Sequence, residues 1–270
     1  MKKFYNLFVL LLLVGTFGQT VEANSPKEIA TEKKFNVTKL DVDDYFQDVN
    51  GTFILRDVQN GKTFVYNKER ANMRQTPEST FKVANALIGL QTGAVKDEYD
   101  IKHWDGIERE FESWNQDHTL GSAMRDSVIW YYQAMARDIG DQQMQEWLQK
   151  IPYGNQNIKG GIDQFWLDSS LKITPMEQMS FMENLFMEEL PFDKPVMKTV
   201  KRMIIQEEGD FYTLYGKTGT RLSDLGLGWF VGFIKTEDRD YVFVTNLEGT
   251  GSEAKTITLN ILKKYNLLTE

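Results

Sequence analysis

The chain has 270 residues, 13% of them aromatic, and a net charge of −8, which suits one or two domains with a sizeable core. The acidic balance and the lack of any long Lys/Arg run argue against a nucleic-acid binder. There is no cysteine, and His103 and His118 are the only histidines. Disulfides, a thiol nucleophile and a lipidated cysteine are therefore excluded, and neither a metal site nor a histidine-dependent triad is supported.

Residues 1–23 read as a secretory signal peptide. Lys2 and Lys3 precede an apolar stretch from Phe4 to Val14, and Val21-Glu22-Ala23 supplies a small-residue cleavage pattern. An uncleaved anchor is the alternative, although the apolar run is shorter than the ~20 residues of a membrane span. The expectation is an exported chain, secreted or periplasmic, with no stable membrane insertion once the signal is removed.

Residues 24–50 are polar, with one helical candidate over 42–49. Residues 52–57 and 63–66 predict two strands, joined through Gln59-Asn60-Gly61-Lys62 with its Asn-Gly turn signal. A helix opens near Pro77, with Thr76 as N-cap and proline at the first helical position. Its apolar residues fall on nearly every side (Phe81, Val83, Ala84, Leu87, Ile88), so it belongs at the centre of the fold. From about 99 to 206 the pattern is helical, with candidates at 127–139, 142–151 and 194–206 and a cap-and-proline start at Thr174-Pro175. Strands return at 211–215, 226–234 and 241–246, and 252–265 predicts a closing amphipathic helix. This order implies an α+β fold: an antiparallel sheet of five to six strands flanked by N- and C-terminal helices, with an inserted all-helical lobe. Residues 24–270 then form one catalytic unit, with an α/β part (24–95 and 207–270) and a helical lobe (96–206).

Ser79 and Lys82 stand three residues apart on that central helix, hence on one face. Unsatisfied backbone N–H groups in a first helical turn favour negative charge, and a buried lysine loses its proton readily. A nucleophilic serine with an amine base is one reading; a solvated Ser and Lys at a helix start is the other. Lys217-Thr218-Gly219-Thr220 puts a lysine, two hydroxyls and a mid-strand glycine together, suited to a carboxylate or to an ordinary edge strand. Ser127 opens a helix and reads alone as an N-cap, Tyr153-Gly154-Asn155 as a turn, and Phe165-Trp166-Leu167 as core packing.

Together and in this order, the five elements resemble the penicillin-recognising serine enzymes, in which S-x-x-K and K-T-G recur. Tyr-Gly-Asn with Phe-Trp-Leu makes the chain similar to the class D (OXA-type) β-lactamases over most of its length after the signal segment. The resemblance implies hydrolysis of β-lactam antibiotics through an acyl-enzyme on Ser79. It implies that Lys82 is N-carboxylated by CO2 or bicarbonate and acts as general base, with no other cofactor and no metal. Trp166 matches the indole that holds the carbamate. Ser127 matches the proton relay to the leaving nitrogen, and Lys217 and Thr218 the groups near the substrate carboxylate. The N–H groups of Ser79 and Thr220 match the oxyanion hole. Ile129 and Leu167 match the apolar roof over the lysine, and Tyr153 and Asn155 are expected to line the site. Ile129 replaces the family's usual valine, and Lys255 stands near the position where many members carry a carboxylate-binding arginine, a planar fork that lysine lacks. The alternatives are an extracellular penicillin-sensor domain or a penicillin-binding protein, either of which acylates without turning over.

Overall fold

The computed structural model describes residues 40–268 together with Met1. The expected signal peptide lies outside the described residues. The helix expected over 42–49 is a single 3₁₀ turn, Asp43–Phe46. Strands β1 (Gly51–Asp57) and β2 (Lys62–Tyr66) form the expected hairpin, with Asp57 opposite Lys62. Gly61, at φ +64, supplies its left-handed turn position. Helices α1 (Lys68–Ala71) and α2 (Phe81–Thr92) follow.

A two-stranded ladder, β3 (Ile101–Lys102) and β4 (His118–Thr119), leads into α3 (Leu120–Arg125), α4 (Ile129–Ile139) and α5 (Asp141–Lys150). Then come α6 (Pro175–Met187) and α7 (Lys194–Met203). The Thr174-Pro175 signal is a full capping box: Thr174 Oγ1 accepts from the Glu177 N–H at 3.0 Å, and Glu177 Oε2 accepts from the Thr174 N–H at 2.8 Å. The last part comprises β5 (Ile205–Glu208), β6 (Tyr212–Thr220), β7 (Gly228–Thr236), β8 (Asp240–Leu247) and α8 (Gly251–Lys264).

The six long strands make one antiparallel sheet in the order β2-β1-β8-β7-β6-β5. Its centre is buried on both faces, and alternation sorts the side chains. Trp229, Val231 and Phe233 of β7 join the core shared with α2, α4 and α6, while Phe230 and Ile234 join the core under α8. Helix α6, which the helical pattern of 99–206 included, lies directly against β1, β7 and β8. β5 begins at Ile205, inside the helix expected over 194–206, so the chain re-enters the sheet earlier than its composition suggests. Ile-Gln-Glu-Glu shows no apolar alternation because β5 is an exposed edge strand.

Candidate active site

The nucleophile turn departs from a simple helix start. Glu78–Thr80 is a 3₁₀ turn and α2 begins only at Phe81. Glu78 sits at φ +50, off the helical path. Thr76 is therefore not the N-cap that its sequence position suggests; its hydroxyl donates to Glu78 Oε1 at 2.6 Å instead. The turn is pinned from two sides. Glu78 N–H donates to Trp166 O at 3.1 Å, and Thr80 Oγ1 donates to Pro77 O at 2.6 Å while accepting from Gln178 Nε2 at 2.7 Å.

Ser79 and Lys82 meet as their spacing predicts, with Lys82 Nζ 2.6 Å from Ser79 Oγ. Lys82 is fully buried, and its ammonium form is strongly disfavoured. Burial is the main cause, the Lys217 charge adds to it, and the Glu78 charge opposes it. The surrounding pocket is aromatic: the Phe81 ring lies 5.1 Å from Phe165 and 5.4 Å from Trp166, and Lys82 Nζ is 5.7 Å from the Tyr132 ring centre. Trp166 Nε1 is buried and has no hydrogen-bond partner among the described residues.

Ser127 does not cap α4. It is the elbow between α3 and α4, in the left-handed region at φ +56, held by its N–H to Met124 O and by the Val128 N–H to Ala123 O at 2.9 Å. The elbow turns Ser127 Oγ toward two lysines, Lys217 Nζ at 2.9 Å and Lys82 Nζ at 3.4 Å. Lys217, on β6, is buried, and its pKa is lowered to about 7 by burial and by the nearby Lys255 charge.

β6 brings Thr218, Gly219 and Thr220 against the nucleophile turn. A Cβ on Gly219 would stand 3.1 Å from Pro77 O and 3.3 Å from the Ser79 nitrogen, so glycine is what allows this approach. A cleft of about 170 Å³ opens over Ser79, lined by Ser127, Ile129, Thr218 and Thr220. Phe111, Trp114 and Leu222 also line it. Sequence reasoning missed these three, because their only signal is apolar side chains in otherwise polar loops.

Four expected positions fall elsewhere. Tyr153 and Asn155 do not line the cleft. Tyr153 is buried edge-on to Phe81, 5.6 Å between ring centres. Asn155 clamps the loop that carries Trp166, donating to Ser170 O and accepting from the Lys172 N–H, both at 2.9 Å. Both therefore buttress the pocket from behind. Lys255 on α8 donates to Gln206 Oε1 at 2.6 Å and lies over the Phe230 ring; it does not line the cleft. Leu167 is half-buried and packs against the main core without lining the cleft.

Residues 48–265 match the family described as the penicillin binding protein transpeptidase domain. The chain is 66% identical to probable beta-lactamase YbxI of Bacillus subtilis over the full length of both. The solved structure titled class D beta-lactamase BAT-2 superposes with a TM-score of 0.86 at 71% identity, covering 87% of this chain and 99% of that one. The chain belongs to the class D β-lactamase family. The regulatory protein BlaR1 of Bacillus licheniformis is also similar, at 34% identity over 97% of this chain but only 45% of its own length. This class D scaffold thus gathers Ser79, a buried lysine whose ammonium form is disfavoured, and a second serine within reach of two lysines.

Proposed function

We propose that the chain hydrolyses β-lactams through an acyl-enzyme on Ser79, with N-carboxylated Lys82 as the general base. The observation that carries this reading is the buried Lys82 amine 2.6 Å from Ser79 Oγ; Trp166, packed on the neighbouring Phe81 ring, has a buried N–H with no partner among the described residues. The residues fit the modification: a neutral amine adds to CO2, and a donor-only indole N–H suits an anionic oxygen in an apolar pocket. In that addition the Nζ lone pair forms the N–C bond, one C=O π pair moves onto oxygen, and nitrogen releases a proton to solvent. Carboxylated, Lys82 supplies a base that takes the Ser79 proton during acylation and a proton from water during deacylation.

The remaining steps fall to the chain's own groups. The Ser79 and Thr220 N–H groups receive the developing oxyanion; one such donor is worth about 10²–10³ in rate. Ser127 Oγ accepts from Lys217, which frees its own proton for the departing lactam nitrogen. Lys217 and Thr218 meet the substrate carboxylate. Lys255, held by Gln206, contributes its charge from a distance. Phe111, Trp114, Ile129 and Leu222 give the cleft an apolar wall for the substrate's side chain. The N-terminal segment supports export, which puts the enzyme where β-lactams arrive.

The test is hydrolysis of a chromogenic cephalosporin by the mature chain in bicarbonate, counted as product per mole of protein. Sustained turnover far beyond one equivalent supports the reading. A burst that stops at one equivalent favours a sensor-type acylation instead.

A further inference from the structure

Glu78, next to the nucleophile, has no part in the chemistry above, yet it is buried at 2% exposure. Its backbone and its side chain both reach the loop that carries Trp166. The Glu78 N–H donates to Trp166 O at 3.1 Å, and Glu78 Oε1 accepts from the Asp168 N–H at 3.0 Å. The same oxygen accepts from Thr76 Oγ1 at 2.6 Å. Asp168 in turn accepts from Ser223 Oγ at 3.1 Å, on the loop after β6. Glu78 and Asp168 both occupy the left-handed region, at φ +50 and +45. Two strained turns are therefore held against each other, with Trp166 two residues before the second.

We propose that Glu78 is a positioning residue that fixes the Trp166 indole against Lys82 and so sets how tightly Lys82 binds CO2 as its carbamate. The proposal rests on the carbamate reading above and assigns the residue that tunes it. Glu78 acts in two opposed ways. Its hydrogen bonds hold the Trp166 loop in place, which favours the carbamate. Its charge favours the ammonium form of Lys82 and opposes an anion there. The charged groups that bear on it are Lys82 on α2, Asp168 on the Trp166 loop and Arg221 after β6, and Arg221 is itself paired with Asp224. Burial raises the Glu78 pKa to about 7, so its charge is only partly present at neutral pH.

Glutamine keeps both acceptor bonds and removes the charge; alanine removes both. The experiment is ¹³C NMR of the mature protein titrated with ¹³C-bicarbonate, reading the carbamate resonance, on the wild type, Glu78→Gln and Glu78→Ala. Circular dichroism checks each fold. We expect Glu78→Ala to need about tenfold more bicarbonate for half-occupancy, the size of one lost hydrogen bond to a charged group. We expect Glu78→Gln to reach half-occupancy at or below the wild-type concentration. A folded Glu78→Ala with wild-type half-occupancy overturns the proposal. So does a Glu78→Gln that needs more bicarbonate than wild type, an outcome that stands even if the alanine variant does not fold. Absence of any carbamate signal in the wild type at saturating bicarbonate overturns the carbamate reading and this proposal with it; a wild-type signal with unmoved variants overturns only this one.

Discussion

Lys82 Nζ lies 2.6 Å from Ser79 Oγ, inside a pocket where no carboxylate pairs with it among the described residues. A lysine so placed cannot keep its charge cheaply, and its pKa is held far below the usual lysine range by burial first and by Lys217 second. The amine is thus available as a base or as a nucleophile toward CO2. Lys82→Ala should leave Ser79 able to acylate slowly and remove deacylation. We expect kcat to fall by about 10²–10⁴, the usual worth of a general base, and intact-mass spectra to show a persistent adduct of one β-lactam per chain. Steady-state turnover at the wild-type rate would remove Lys82 from the mechanism.

Trp166→Phe removes the indole N–H. An apolar aromatic ring is kept near Phe81 and Phe165, while the unpartnered donor is lost together with part of the buried ring. We expect a folded protein less stable by about 1–3 kcal/mol because the smaller ring leaves a cavity, with kcat falling at ambient CO2 and recovering as bicarbonate is added. The midpoint of that recovery should sit about tenfold or more above the wild type's, as for loss of a hydrogen bond to a charged acceptor. A variant equally active with and without bicarbonate speaks against Trp166 as the carbamate's partner.

Gly219→Ala tests the seating of β6 on the nucleophile turn. The new methyl would meet Pro77 O at 3.1 Å, the Thr80 methyl at 3.2 Å and the Ser79 nitrogen at 3.3 Å. All three belong to a turn fixed by its own hydrogen bonds, so the strand rather than the turn has to shift. That displaces the Thr220 N–H from the oxyanion position. We expect the acylation rate to fall about tenfold or more, with an overpacking cost of about 1–3 kcal/mol read from denaturant midpoints. Unchanged acylation kinetics would mean that the approach of Gly219 has no bearing on the oxyanion hole.

Much of this arrangement was legible in residue order. The i, i+3 spacing of Ser79 and Lys82 survives because a 3₁₀ turn running into an α-helix keeps the two on one face. The strands β1, β2 and β6 to β8 were readable because β-branched and aromatic residues mark a buried sheet. What failed to show depends on distant partners. The left-handed elbow at Ser127 reads as an N-cap because a positive φ on serine is imposed by the packing of α3 on α4. The tie from Lys255 to Gln206 was hidden because β5 has no apolar alternation. Tyr153 and Asn155 matched a motif, but a motif gives no direction, and both point into support of the pocket rather than into the cleft. Glu78 carried no signal beyond its place beside Ser79, since burial of a carboxylate is invisible in sequence.

The pH dependence should follow Lys217 and be adjustable from Lys255. Lys217 donates to Ser127 Oγ at 2.9 Å and has its pKa lowered to about 7, first by burial and then by the positive charge of Lys255. The protonated form is the one that replenishes the Ser127 proton and meets an anionic substrate. The kcat/KM profile, which reports the free enzyme, should therefore fall on the alkaline side as Lys217 loses its proton. Lys255→Met removes a neighbouring like charge, which makes protonated Lys217 easier to keep and raises its pKa. The alkaline limb should accordingly move to higher pH in the variant, with the acid limb unchanged. The stability consequence runs with the same sign. Between about 7 and the ordinary lysine pKa the unfolded chain holds a proton on Lys217 that the folded chain does not, so this group's contribution to stability rises with pH across that window. Lys255→Met should flatten that rise, as read by thermal melts at pH 7 and pH 9. An alkaline limb that stays in place or moves toward acid would separate Lys255 from Lys217 and reassign the limb to another group of the cleft.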